Sequence, residues 1–134
     1  MTDDQSYNCA VELTLSVIGG KWAVVVLALL KEGVHRYGAL RRRMPAVSEK
    51  VLVQRLRGLE ASGLVSRHSD GGSPPAVEYR LTPEGESLIP ILDALYAWGV
   101  QRAARTGAVI LPPAPDRLTP AGPPPAAPAP PGSA

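Results

Sequence analysis

The chain has 134 residues, one cysteine, fifteen prolines and a formal net charge of +2. A single thiol excludes an internal disulfide framework and fits a reducing cytosol, so a cytoplasmic location is expected. The longest apolar run, WAVVVLALL between Lys21 and Lys31, is far short of the roughly 20 residues that span a bilayer, so no membrane partner is expected.

Residues 1–8 read as a flexible N-terminal arm, and MTDDQSYN lacks the basic-then-apolar pattern of a signal peptide. Val11, Leu15 and Ile18 then recur at helical spacing, which predicts a first helix over 9–18 ended by Gly19-Gly20. Lys21–Lys31 predicts a second helix, apolar nearly all round and so central to the core, with Gly33 just past its end. RYGALRRRM, residues 36–44, predicts a short third helix with Tyr37 and Leu40 inward and the arginines outward, stopped by Pro45. Ser48 caps a fourth helix that runs to about Ser62 and closes at Gly63. On it Leu52, Leu56 and Leu59 share one face, and Lys50, Val53, Gln54 and Arg57 share the opposite one. Two short consecutive helices joined by a tight turn have the spacing of a helix-turn-helix.

LVSRH and AVEYRLT alternate with period two around SDGGSPP, which predicts a hairpin with a soft polar tip. Thr82 can cap one final helix, with Pro83 at its first position and Glu84 and Glu86 in its first turn. Leu88, Ile91, Leu92, Leu95 and Trp98 mark its apolar stripe to about Arg105. Residues 112–134 hold ten of the fifteen prolines and read as a disordered Pro/Ala-rich tail. Residues 9–111 are thus expected to form one domain, mainly α with a small β-hairpin (α+β). The architecture is a winged helix-turn-helix with a long C-terminal dimerisation helix.

Residues 36–67 carry eight Lys or Arg against two Glu, a net of +6 that leaves −4 for the rest. Such a segment fits a phosphate-binding surface, although a solvated face is the commoner meaning of a charge run. In a helix-turn-helix the second helix enters the major groove of double-stranded DNA. Lys50, Val53, Gln54 and Arg57 are therefore candidates to read bases. Gln bonds adenine, Arg or Lys bonds guanine, and valine methyls meet a thymine methyl. Arg41, Arg42, Arg43, Ser48, Arg67, His68 and Arg80 are candidates for the DNA backbone, the last three from a hairpin acting as a wing. A hairpin that merely completes the core is the plainer alternative.

The stretches CAVELTLSVIGGKWAVVVLALL, HRYGALRRRMPAVSEKVLVQRLRGLEASGLVSR and PPAVEYRLTPEGESL resemble the HxlR-type winged helix-turn-helix transcriptional regulators of bacteria, in the MarR-like superfamily. The resemblance covers roughly residues 7–105. Its motifs occur in order: the near-N-terminal Cys, G-K-W, S-x-K-V-L-x-x-R-L-x-x-L-E-x-x-G-L-V-x-R, and V-E-Y-x-L-T-P-x-G. It implies a cytoplasmic homodimer on near-palindromic operators, usually a repressor and sometimes an activator. Three positions depart from the family's habit: Val53 for Thr or Ser, Ala76 for Arg, and Ala39 for Glu or Asp.

A homodimer is also expected physically, because a single small reader makes few contacts and two-fold proteins match half-sites about 34–36 Å apart. Cys9 is either a small buried hydrophobe or, as the resemblance implies for some members, a redox sensor whose oxidation switches DNA binding. With no second cysteine, that chemistry is a bridge between the Cys9 thiols of two subunits or a cap by a small thiol or electrophile. Trp22, Leu95, Tyr96 and Trp98 are candidates for the dimer interface and a small-molecule effector pocket within it. His35 and His68 have no partner at ligand spacing, and no nucleophile elbow, phosphate loop or paired-carboxylate pattern occurs. Neither catalysis nor a metal or cofactor is expected. The rival expectation is a protein-interaction module that keeps the winged-helix shape without binding DNA.

Overall fold

The computed structural model describes residues 6–111, and the Pro/Ala tail and most of the N-terminal arm lie outside them. In chain order the elements are α1 (Ala10–Ile18), α2 (Lys21–Lys31), α3 (Tyr37–Arg43), α4 (Glu49–Ala61), β1 (Val65–Ser69), β2 (Val77–Leu81), α5 (Pro83–Glu86) and α6 (Ile89–Thr106). Among the described residues no single helix is long and apolar enough to cross a membrane.

The core gathers around α2. Val26, Leu27 and Leu30 are buried there against Leu40 of α3, Leu52, Leu56 and Leu59 of α4, and Leu92 of α6. This explains why α2 is apolar on nearly every side: helices and the hairpin cover it from several directions. Gly33 ends that region at φ +98, a left-handed conformation that a side chain would strain.

β1 and β2 pair antiparallel in the register Val65↔Leu81, Arg67↔Tyr79 and Ser69↔Val77. The other edge of β2 is met by the segment before α3: Tyr79 N donates to His35 O at 2.8 Å, and Arg36 bridges Glu78. The base of the hairpin is clamped to the end of α4. Thr82 N donates to Leu64 O at 3.0 Å, and the Thr82 hydroxyl donates to Gly63 O at 2.6 Å while accepting from Gly85 N at 3.1 Å. Gly85 lies so close to the Leu64 carbonyl that a Cβ there would stand 2.1 Å from its oxygen. The hairpin therefore has a fixed base relative to α4.

Two expectations are corrected. The single final helix is two, because Pro90 follows Pro83 by two turns. A proline lacks the N–H that would bond the carbonyl four residues back and clashes with it. The chain leaves α5 through Ser87 and restarts as α6, with Leu92 N bonding Leu88 O at 2.9 Å. In α1 the expected apolar face is only partly used: Ile18 is buried, whereas Val11 and Leu15 remain exposed. Among the described residues, the large apolar side chains left exposed fall in three places: residues 7–15, residues 91–100 of α6, and Val109-Ile110-Leu111.

Candidate nucleic-acid interface

The turn between α3 and α4 is fixed from several sides. Met44 and Val47 are buried, and Val47 N donates to Met44 O at 3.1 Å. Ser48 Oγ caps α4 by accepting from Val51 N at 3.1 Å. Arg41 reaches back to donate to Val47 O at 3.2 Å. Held this way, α4 buries its three leucines and turns Lys50, Gln54 and Arg57 fully outward, with Val53 half-exposed beside them.

Between α3, α4 and the hairpin lies an open groove of about 1050 Å³. Arg36, Arg42, Arg57 and Arg67 line it, with Glu49 and Glu60 as its acids and Tyr37, Val53, Val77 and Tyr79 as its apolar floor. Burial first, and the Glu49 carboxylate second, push the Tyr37 hydroxyl above its ordinary pKa. The walls thus join a cationic rim to apolar and hydrogen-bonding surface, as a helix-and-wing contact to a polyanion requires.

The candidate backbone residues are not gathered in one place. Strand pleating sets alternate side chains on opposite faces. Arg67, opposite Tyr79, faces the groove, whereas His68 and Arg80 share the other face with Glu78. There Arg80 pairs with Glu78 at 3.0 Å, and His68 Nε2 lies 2.9 Å from Ser66 Oγ. The Arg80 hydrogen bond, helped by the charges of Arg80 and Arg36 and opposed by burial, holds the Glu78 carboxyl below its usual range. Arg80 also lines a second hollow with Lys31, His35 and Glu86, away from α4.

The α3 arginines, expected outward, are all half-buried. Arg41 is bonded to the turn, Arg43 lies 4.0 Å from Glu32, and Arg42 borders the groove. Arg36 is a groove residue that the sequence reading did not nominate; only its place in the basic run hinted at it. Its guanidinium lies 3.9 Å from Glu78.

The hairpin tip is more organised than the expected soft loop. Asp70 Oδ1 accepts from Gly72 N at 2.8 Å and Ala76 N at 3.0 Å, and Asp70 N donates to Ala76 O at 3.1 Å. The Gly72 amide first, then the Ala76 amide, lower the Asp70 pKa. A depressed carboxylate pKa means the cradle is present above the unfolded value and lost as pH falls through the folded one. In an NMR titration the Gly72 and Ala76 amides should hold their shifts from neutral pH to the ordinary Asp range and move only below it. Asp70→Ala should shift both at every pH; unmoved amides would deny Asp70 that role.

Cys9 is exposed at the N-cap of α1 and makes no capping bond with its side chain. Trp22 packs against the core with the Lys21 ammonium 4.6 Å from its ring centroid. Leu95, Tyr96 and Trp98 stand exposed on α6, and none of the four lines either hollow described above. Among the described residues no group of three or more His, Cys, Asp or Glu comes together as a metal site would need.

A capped helix-turn-helix followed by a clamped two-stranded hairpin defines a winged helix-turn-helix protein. Residues 17–106 match the HxlR-like helix-turn-helix family, and the chain belongs to it. It is 48% identical over 96 residues to an HTH-type transcriptional regulator of Methanothermobacter thermautotrophicus, covering 72% of this chain and 73% of that one. The crystal structure of the HTH-type transcriptional regulator YtcD, a Bacillus subtilis protein, is 47% identical with a TM-score of 0.69, over 72% of this chain and 99% of that one. The redox regulator HypR in its reduced form is 37% identical with a TM-score of 0.70, over 75% and 100%. The family and these relatives place the chain among DNA-binding transcriptional regulators.

Proposed function

We propose that this chain is a cytoplasmic, sequence-specific regulator that binds a near-palindromic operator as a homodimer, acts as a repressor, and is switched by a redox or small-molecule signal. The observation that carries the reading is the division of α4. Its leucines fill the core, while Lys50, Gln54 and Arg57 project beside a groove rimmed by Arg36, Arg42 and Arg67. Lys50, Val53, Gln54 and Arg57 read bases, and the rim arginines hold phosphates.

The partner surface is supported by the distribution of exposed apolar side chains. Among the described residues they fall in residues 7–15, α6 and the segment after it, and contiguous exposed apolar surface marks protein–protein contacts. Leu95 and Trp98 belong to that surface, so a second copy of the chain covers them. The exposed Cys9 thiol opens the same stretch of α1. The likeness to HypR, a redox regulator solved in oxidised and reduced forms, supports a redox input, for which Cys9 is the candidate thiol.

Selection of duplexes from a randomised pool tests this reading. The wild-type chain should enrich a motif with two-fold symmetry and sediment at twice its monomer mass. Leu95→Asp, exposed in one chain, should leave unfolding unchanged yet give monomers that lose the enriched duplex. Oxidant should release wild-type protein and spare Cys9→Ser. An enrichment without symmetry would refute the dimeric operator, and no enrichment at all would favour the interaction-module rival.

A further inference from the structure

Leu92 is the one α6 residue buried in the core. One residue further on, Asp93 meets Lys31, the last residue of α2, at 2.7 Å, joining positions 62 apart in sequence. Lys31 is 20% exposed and Asp93 43%, so the pair is partly shielded, unlike most surface ion pairs. Because the helix breaks at Ser87-Leu88, ahead of Pro90, α5 supplies no continuous rod to aim α6. With Leu92 as its one buried side chain and Ile89 and Ala97 half-buried, α6 is held most firmly near its start and keeps some freedom to tilt. A second, directional contact beside it removes that freedom.

We propose that Lys31–Asp93 is the strut that sets the angle at which α6 leaves the DNA-reading head, and hence the half-site spacing a dimer accepts. The inference rests on the reading that α6 joins two copies on a two-fold operator. From Asp93 to its end at Thr106, α6 extends about 20 Å at a rise of 1.5 Å per residue. A tilt of about 10° at the strut therefore moves the far end by about 3 Å, close to the ~3.4 Å rise of one base pair. A small change in this angle is large enough to alter the register between two heads. Lys31 and Asp93 are positioning residues, acting through α6 and not by touching DNA.

The test uses the full chain and the duplex it enriches from a randomised pool, rebuilt with the half-sites one or two base pairs closer or further apart. Wild-type protein should show a sharp optimum, losing about tenfold or more in affinity at each single-base-pair offset, since off-register binding must deform the DNA. Asp93→Asn should flatten that profile to within about threefold while sedimenting as the same dimer. The swap Lys31→Asp with Asp93→Lys should restore the sharp optimum. An Asp93→Asn profile as sharp as the wild type, or lowered equally at every spacing, would overturn the strut alone. A wild-type chain with no optimum at any spacing would overturn the dimeric reading and the strut with it.

Discussion

Leu56→Ala is expected to destabilise the fold by about 2–5 kcal/mol, seen as a lower urea midpoint with an unchanged slope. Leu56 is 1% exposed and sits between Leu52 and Leu59 in the face of α4 turned to α2. Removing its isobutyl group loses its burial and leaves a cavity that the surrounding leucines cannot collapse into without leaving their own contacts. Gln54→Ala, two residues earlier on the outward face, should shift stability by no more than about 0.5 kcal/mol. The pair tests whether α4 has one face for folding and another for reading. Equal stability losses at both positions would contradict that division.

Arg57→Ala is expected to weaken binding to the enriched duplex by about 1–3 kcal/mol, roughly 5- to 150-fold, and to relax the preference at one base position. Arg57 is exposed on α4 and borders the groove, so its truncation removes the proposed DNA contact without opening the core. Arg67→Ala should behave differently. A phosphate contact carries no sequence information, so affinity should fall for every duplex alike and the salt slope should drop by about one. Arg80→Ala should do neither, because Arg80 lies across the hairpin from the groove and is paired with Glu78. Anisotropy titrations on matched and single-mismatch duplexes separate the three. An Arg57→Ala variant with unchanged affinity would remove that residue from the reading face.

Much of the fold was legible because its signals are local. Ser48, Gly33 and Gly63 mark helix ends by their own chemistry, and the 3.6-residue period of Leu52, Leu56 and Leu59 fixes which side of α4 faces inward. The break just ahead of Pro90 follows from a local rule too. It was masked because Pro83 makes so good a helix start that the apolar stripe reads straight through the second proline.

What could not be read depends on tertiary placement. Arg41, Arg42 and Arg43 look alike in sequence, yet one bonds the turn, one borders the groove and one faces Glu32, according to what packs beside α3. Arg67 and Arg80 divide between the hairpin's faces because of a register set by the seven residues between the strands. The closure of that loop depends on Asp70 reaching an amide six residues away. Arg36 joins the groove only because β2 draws residues 35–36 alongside it.

The most direct measurement is fluorescence anisotropy of the reduced chain on its enriched duplex and on a scrambled one, across a salt series. A regulator that reads bases through α4 and phosphates through the arginine rim should prefer the enriched duplex by about 10³ or more, with affinity for both falling steeply as salt rises. Equal affinity for the two duplexes, or no binding to either at low salt, would contradict it.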